Sequence, residues 1–294
     1  MKTVLITALA ALLVCPHMVL SENARLSASL YQLKQLAAES HNSLIERADD
    51  VLSARNEIKV LLAADPDAAS VLEQELQALT TDYDGRAPLA LLAVLLLDTY
   101  AQGNRDAFLA YAENAIKDET YPELLKSHML SLLSSTLRMD VSKSDDHEYD
   151  RYSDADILPV FMAATTISSP PAVRGKALRY LLGYSMPGIA AETIEIKPIN
   201  KDAGIKALKE LVYSDLPFER KQQYWEMLSA QTGDDSEYIS ALRAYIEDTG
   251  NILYYRYSYA KHLVERGALS AESFAELKTE WEKLNASATE IRVP

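Results

Sequence analysis

Residues 87–118 read APLALLAVLLLDTYAQGNRDAFLAYAENAIKD, and this stretch decides the fold class. Pro88 suits a first helical position, where its missing N–H costs nothing. Leu89, Leu91, Leu92, Val94, Leu95, Leu96 and Leu97 follow with almost no polar break. A helix apolar on nearly all sides must be covered on nearly all sides. Asp98 and Gln102 end the run too early for it to span a bilayer. The stretch therefore predicts a central buried helix, Pro88 to Gln102, turning at Gly103-Asn104 into a second helix, Arg105 to Lys117. Gly103 is expected to take a positive φ and stop the first helix. Asn104 is expected to cap the second, which places Phe108, Tyr111, Ala112 and Ala115 on one stripe.

Tyr100, Ala107-x3-Tyr111 and Pro122 give this hairpin a resemblance to tetratricopeptide-type repeats. Those repeats carry a first helix ending near Tyr, a second with Ala-x3-Phe/Tyr, and then Pro. The early Trp and the Leu-Gly pair of that pattern are missing. The resemblance covers one repeat's length and implies an irregular, solenoid-like array of helical hairpins, not a function.

The N-terminus has the layout of a secretory signal peptide, with Lys2 as the basic region and Val4 to Val14 as the apolar region. Processing is expected after Ser21, with Ala24 the alternative. The apolar stretch is short for a membrane anchor. The only cysteine, Cys15, lies in this leader. Acylation there is the competing reading, though Val14 is large for the position before a lipidated Cys. Cleavage at Ser21 leaves no thiol, hence no disulfide and no thiolate site. An exported chain held only by its core suits a periplasm, so the expected location is periplasmic or secreted. The formal net charge of −14 disfavours nucleic acid and anionic lipid as partners. Nine glycines in 294 residues, with abundant Ala, Leu, Glu and Lys, favour helix.

Asn23 to Ala64 contains neither Gly nor Pro. Leu30, Ala37, Leu44, Val51 and Ile58 recur every seven residues, with Leu33, Ser40, Arg47, Ala54 and Leu61 as companions. One seam is apolar and the other is interrupted by Ser40 and Arg47, so a long helix, or two nearly collinear ones, is expected rather than a coiled-coil dimer. Asp65-Pro66-Asp67 breaks it and caps the next helix. Thr120 to Glu123 and Asp234 to Glu237 read as capping boxes, and Asn200 as the cap of Lys201 to Tyr213. Ser142 to Asp156 carries Asp145, Asp146, Glu148, Asp150, Asp154 and Asp156 among few aliphatics. It reads as a solvated loop, with a calcium site as the alternative. Pro159 is placed in a first helical turn, Gly183 to Gly188 is read as a turn, and Thr193 to Lys197 as a short extended segment. The organisation is a leader at 1–21, a helical lobe at 22–139, an acidic linker at 140–156 and a second helical lobe at 157–294. The fold class is all-α.

No nucleophile elbow, phosphate-binding loop, dinucleotide fingerprint or His-Glu-x-x-His occurs. His41, His128, His147 and His262 fall on four separate segments without metal spacing. No cofactor and no metal are therefore expected. The most distinctive local feature is aromatic. Tyr254, Tyr255, Tyr257 and Tyr259 crowd around Arg256, with Tyr245 and Lys261 close by. On a helix Tyr255 and Tyr259 share one face, and Tyr254 and Tyr257 a neighbouring one. Tyrosine joins an apolar body to a polar tip, which suits both helix packing and recognition of a peptide or sugar. The leading expectation is an exported helical protein that binds another protein or peptide in the cell envelope. An envelope hydrolase or lyase acting on polysaccharide or peptidoglycan, and a carrier of a small apolar ligand, are the alternatives.

Overall fold

The structure, a computed structural model, describes residues 22–39, 46–81, 87–138, 152–187 and 193–290. The expected leader at 1–21 and residues 140–151 of the acidic segment lie outside the described residues. Among the described residues there are thirteen helices and one two-stranded hairpin, so the fold is all-α. No helix of these residues is long and apolar enough to cross a membrane.

The chain forms two compact units. The first runs to Ala164 and also takes Ser169–Lys176; the second takes Thr165–Ser168 and everything from Ala177 onward. The second unit thus begins later than Ile157. The reason is that α7 (Asp154–Ala164) packs against α5 (Arg105–Lys117) and stays with the first unit.

In the first unit, α1 (Glu22–Glu39) and α2 (Ala48–Ala64) pack on each other instead of running on as one helix. Arg25, early in α1, pairs with Glu57, late in α2, so the two are antiparallel. The heptad seam folds back on itself: Leu26, Leu30, Leu33 and Ala37 are buried together with Val51, Ala54, Ile58 and Leu61. Arg47, one of the two polar interruptions, marks the start of the second arm, where a long charged side chain stays in water.

Next come α3 (Pro66–Thr81), α4 (Ala87–Gly103) and α5, then α6 (Glu123–Arg138). The apolar helix α4 packs against α1, α2, α3, α5 and α6, the all-round cover its composition demands. Gly103 does not stop it through a positive φ, and its backbone stays helical. Its role is space. A Cβ there would lie 2.9 Å from Leu62 Cδ1 and 3.0 Å from Lys59 Cα, so only glycine lets α4 approach α2 so closely. Asn104 joins three helices. Its Oδ1 accepts from Ala107 N–H at 3.2 Å to cap α5, and its Nδ2 donates to the Leu62 carbonyl at 3.2 Å near the end of α2. The buried ammonium of Lys126 likewise donates to Ile116 O at 3.0 Å, near the end of α5.

Tyr100 and Tyr111, two of the four residues on which the repeat resemblance rests, lie in one aromatic cluster, 5.7 Å apart. Tyr100 meets Phe108 edge-on at 5.6 Å and donates from its hydroxyl to Glu73 at 2.5 Å. The hydroxyls of Tyr111 and Tyr121 lie 2.9 Å apart. Burial pushes the phenol of Tyr121 up to about 12, and those of Tyr100 and Tyr111 further.

Several expected caps are replaced. Thr120 does not open α6: its N–H and hydroxyl both donate to Asp118 Oδ1, at 2.8 and 2.7 Å, and pull that carboxyl below its usual range. The Asp234–Glu237 box also fails. Asp234 accepts instead from Ser236 N–H, and Glu237 is engaged by the Tyr213 hydroxyl. A true capping box lies where a loop was expected. Ser153 Oγ accepts from Asp156 N–H at 3.2 Å, and Asp156 Oδ2 accepts from Ser153 N–H at 3.0 Å. The helix α7 therefore begins at Asp154, and Pro159 sits inside it rather than in its first turn.

In the second unit, α8 (Pro171–Leu182), whose last residues belong here, leads into β1 (Tyr184–Pro187) and β2 (Thr193–Ile196). They pair antiparallel, with Tyr184 opposite Ile196. The extended segment expected at 193–197 thus has a partner, in the stretch read as a turn. Gly183 makes the bend at φ +75°, with no room for a Cβ beside Ile196 O at 2.8 Å. Then α9 (Lys201–Val212), α10 (Phe218–Thr232), α11 (Ser236–Glu247), α12 (Leu253–Glu265) and α13 (Ala271–Glu290) form an array in which each helix packs on the next. Asn200 caps α9 as expected, accepting from Ala203 N–H at 3.0 Å.

Candidate functional site

The tyrosine-rich segment is helix α12, between α11 and α13. Its N-terminus follows a tight turn in which Asp248 Oδ1 accepts from Gly250 N–H at 2.9 Å. Ile252 is the N-cap and supplies no side-chain hydrogen bond. At the start of α13, Ser270 Oγ accepts from Ser273 N–H at 3.1 Å.

The five singled-out residues separate into two groups. Tyr259 is 3 % exposed and belongs to the core. It meets Tyr245 edge-on at 5.2 Å and Phe218 edge-on at 5.5 Å. Burial pushes its phenol up to about 12, helped by the Glu219 charge. Tyr245, which donates its hydroxyl to Glu219, is raised further for the same first reason. Arg256 is 9 % exposed, and its Nε donates to Ile246 O at 2.8 Å. It closes the carbonyl end of α11, and its Nη1 stands 3.9 Å from Glu280 Oε2. A guanidinium so committed is a packing element rather than a contact for a bound chain.

Tyr255 stacks on Tyr259 at 6.0 Å and meets Tyr254 edge-on at 5.3 Å, bridging core and surface. Tyr254 itself is 53 % exposed, and Ile252 before it 60 %. Tyr254 and Trp281 of α13 lie 5.7 Å apart with their planes at 53°, an open wedge of two rings. Tyr257 stacks against Trp281 at 5.4 Å and Phe274 at 5.3 Å, holding α13 to α12. The shared faces expected from helical spacing are present. Tyr255 and Tyr259 touch each other, while Tyr254 and Tyr257 both touch Trp281.

Trp281, Phe274, Phe218 and Glu219 belong to this cluster without having been singled out from the sequence. Phe274 and Trp281 are seven apart, and that spacing was the available signal for one helix face. Phe218 and Glu219 come from a helix three dozen residues upstream, and no local pattern announces them.

Among the described residues no group of three or more His, Cys, Asp or Glu could hold a metal ion. Of the six carboxylates on which the calcium alternative rested, Asp145, Asp146, Glu148 and Asp150 lie outside those residues, while Asp154 and Asp156 stand in the first turn of α7, where Asp156 accepts from Ser153 N–H. His128 is engaged by Asp98, Nε2 to Oδ1, at 2.9 Å. No protein-family model, curated protein or solved structure matches the chain.

Proposed function

We propose that this chain is an exported helical-hairpin protein that binds another protein or peptide in the cell envelope, with the exposed end of the α12–α13 hairpin as its contact surface. One observation carries the reading. Tyr254 spends its ring on Trp281 and Tyr255 yet leaves 53 % of itself in solvent, beside Ile252 at 60 %. Large apolar side chains that are rigidly held and still exposed are the usual raw material of binding hot spots. The leader at 1–21, with its basic, apolar and small-residue regions, supports export.

The test is affinity capture from envelope extract with tagged protein lacking residues 1–21, followed by mass spectrometry. A stoichiometric protein that survives moderate salt, and is lost with Tyr254→Ala while far-UV circular dichroism is unchanged, supports the reading. Capture that is indifferent to Tyr254→Ala removes this surface from it. No retained partner, even after crosslinking, overturns it.

A further inference from the structure

The rings around α12 form one unbroken series. Tyr245 meets Tyr259 at 5.2 Å, Tyr259 meets Tyr255 at 6.0 Å, and Tyr255 meets Tyr254 at 5.3 Å. Tyr254 then meets Trp281 at 5.7 Å, and Trp281 meets Tyr257 at 5.4 Å. Every member is a phenol or an indole, the side chains that give up a single electron most readily among aromatics. Phenylalanine, which resists that loss, flanks both ends, Phe218 beside Tyr245 and Phe274 beside Tyr257. The series runs from the surface, where Tyr254 is mostly exposed, to the core, where Tyr245 is buried.

The two ends differ in what can take a proton. An oxidised phenol is a strong acid, so a tyrosine yields its electron most easily where a base stands within hydrogen-bond reach. Among the described residues, Tyr245 is the member of the series whose hydroxyl donates to a carboxylate, that of Glu219. Water, the acceptor open to Tyr254, is a far weaker base. We propose that the series is a relay for one-electron oxidising equivalents, drawing them from the Tyr254–Trp281 contact inward to Tyr245. The oxidant is a diffusible one-electron radical that takes an electron from the Trp281 indole and is itself reduced. An electron then passes outward ring by ring, from Tyr245 through Tyr259, Tyr255 and Tyr254, and restores Trp281. Any N–H proton the indole lent to water returns in the same step. Tyr245 loses its hydroxyl proton to Glu219 as it loses its electron. The products are a reduced oxidant, a neutral phenoxyl radical at Tyr245 and a protonated Glu219. Contact between successive rings keeps each hop short, and burial of Tyr245 keeps the radical from coupling with another molecule.

The relay needs no docked partner, so it stands or falls apart from the contact surface proposed above. Its test is pulse radiolysis of the purified protein with azide radical, which takes one electron from indole and becomes azide anion. Phenols struck directly should give prompt tyrosyl absorbance. Indolyl absorbance should then decay as further tyrosyl absorbance rises, at one first-order rate independent of protein concentration. Trp281→Phe should remove this second phase, which separates it from any signal of buried Trp225. Tyr245→Phe keeps the ring and removes the oxidisable hydroxyl, while Glu219→Gln keeps the shape and removes the base. Each should lose most of the tyrosyl yield of the second phase, with far-UV circular dichroism unchanged.

A second phase of equal yield and rate in Tyr245→Phe would leave the radical on an outer tyrosine and overturn the relay. A rate that grows with protein concentration would show transfer between molecules and overturn it too, as would the lack of any second phase in the parent. Loss in Tyr245→Phe with no change in Glu219→Gln would refute Glu219 as the base that selects Tyr245, and with it the proposal.

Discussion

At the scale of single residues, neighbouring tyrosines of one helix have opposite duties. Tyr259 is packed between Tyr245, Phe218 and Tyr255. Tyr259→Ala removes a buried aromatic and should cost about 3–5 kcal/mol of stability. Tyr254→Ala, at a position mostly in water, should cost less than about 1 kcal/mol. Urea denaturation of both variants checks the pair, and equal losses would show that Tyr254 is core as well. Sequence spacing sorted these rings onto faces correctly but could not say which face met water. Both faces of α12 carry tyrosine, and the decision lies with Phe218 of α10 and Trp281 of α13, each from another helix. Arg256 shows the same limit. A basic residue among tyrosines reads as a ligand contact until the Ile246 carbonyl is seen at 2.8 Å.

At the scale of elements, the chain's small residues do two kinds of work. Gly103→Ala would press a methyl to within about 3 Å of Lys59 Cα, which is backbone and cannot turn aside. It should destabilise by about 1–3 kcal/mol, even though alanine is the better helix former. A stabilised variant in thermal unfolding would refute the close approach of α4 and α2. Ser153→Ala should cost about 1 kcal/mol by opening the Ser153–Asp156 box, and a variant as stable as the parent would show that α7 does not need that cap. The α4–α5 hairpin was legible because its signals are local: an apolar run, a Gly-Asn turn and a capping side chain. The α1–α2 fold-back was not, because a heptad seam satisfied within one chain has the same periodicity as one satisfied along a single long helix. Only the polar step at Ser40 and Arg47 hinted at the break. The strand Tyr184–Pro187 was hidden because its partner, Thr193–Ile196, is not adjacent in the sequence, and Gly183 reads equally well as the end of a helix.

At the scale of the whole molecule, a chain with seventeen tyrosines has its pH limit on the alkaline side. In the unfolded chain a phenol ionises near pH 10. In the fold, burial pushes Tyr121 and Tyr259 up to about 12, and Tyr100, Tyr111, Tyr238 and Tyr245 higher still. The folded state therefore holds these protons more tightly. The stability this represents is fully present below about pH 10 and is lost as pH rises through about 12. A titration followed at once by tyrosinate absorbance and far-UV circular dichroism should show exposed tyrosines ionising first, with helix intact. A second ionisation should then coincide with helix loss. Ionisation of all tyrosines near pH 10 with an unchanged helical signal would contradict the buried networks in both units.

Helix α13 faces α12 through Phe274, Leu277 and Trp281, while most of its other described residues lie in water. Few of the described side chains of this 20-residue helix leave solvent, so α13 should open at a fraction of the free energy needed to unfold α11 and α12. Amide hydrogen exchange should then show α13 trading its protons well before its neighbours do. Any molecule seated across Tyr254 and Trp281 bridges the two helices and must leave before α13 can open. Occupancy of the wedge would accordingly be read as slowed exchange in α13 alone, growing with ligand concentration as mass action requires. The helix that forms half of the contact would thus also report its occupancy.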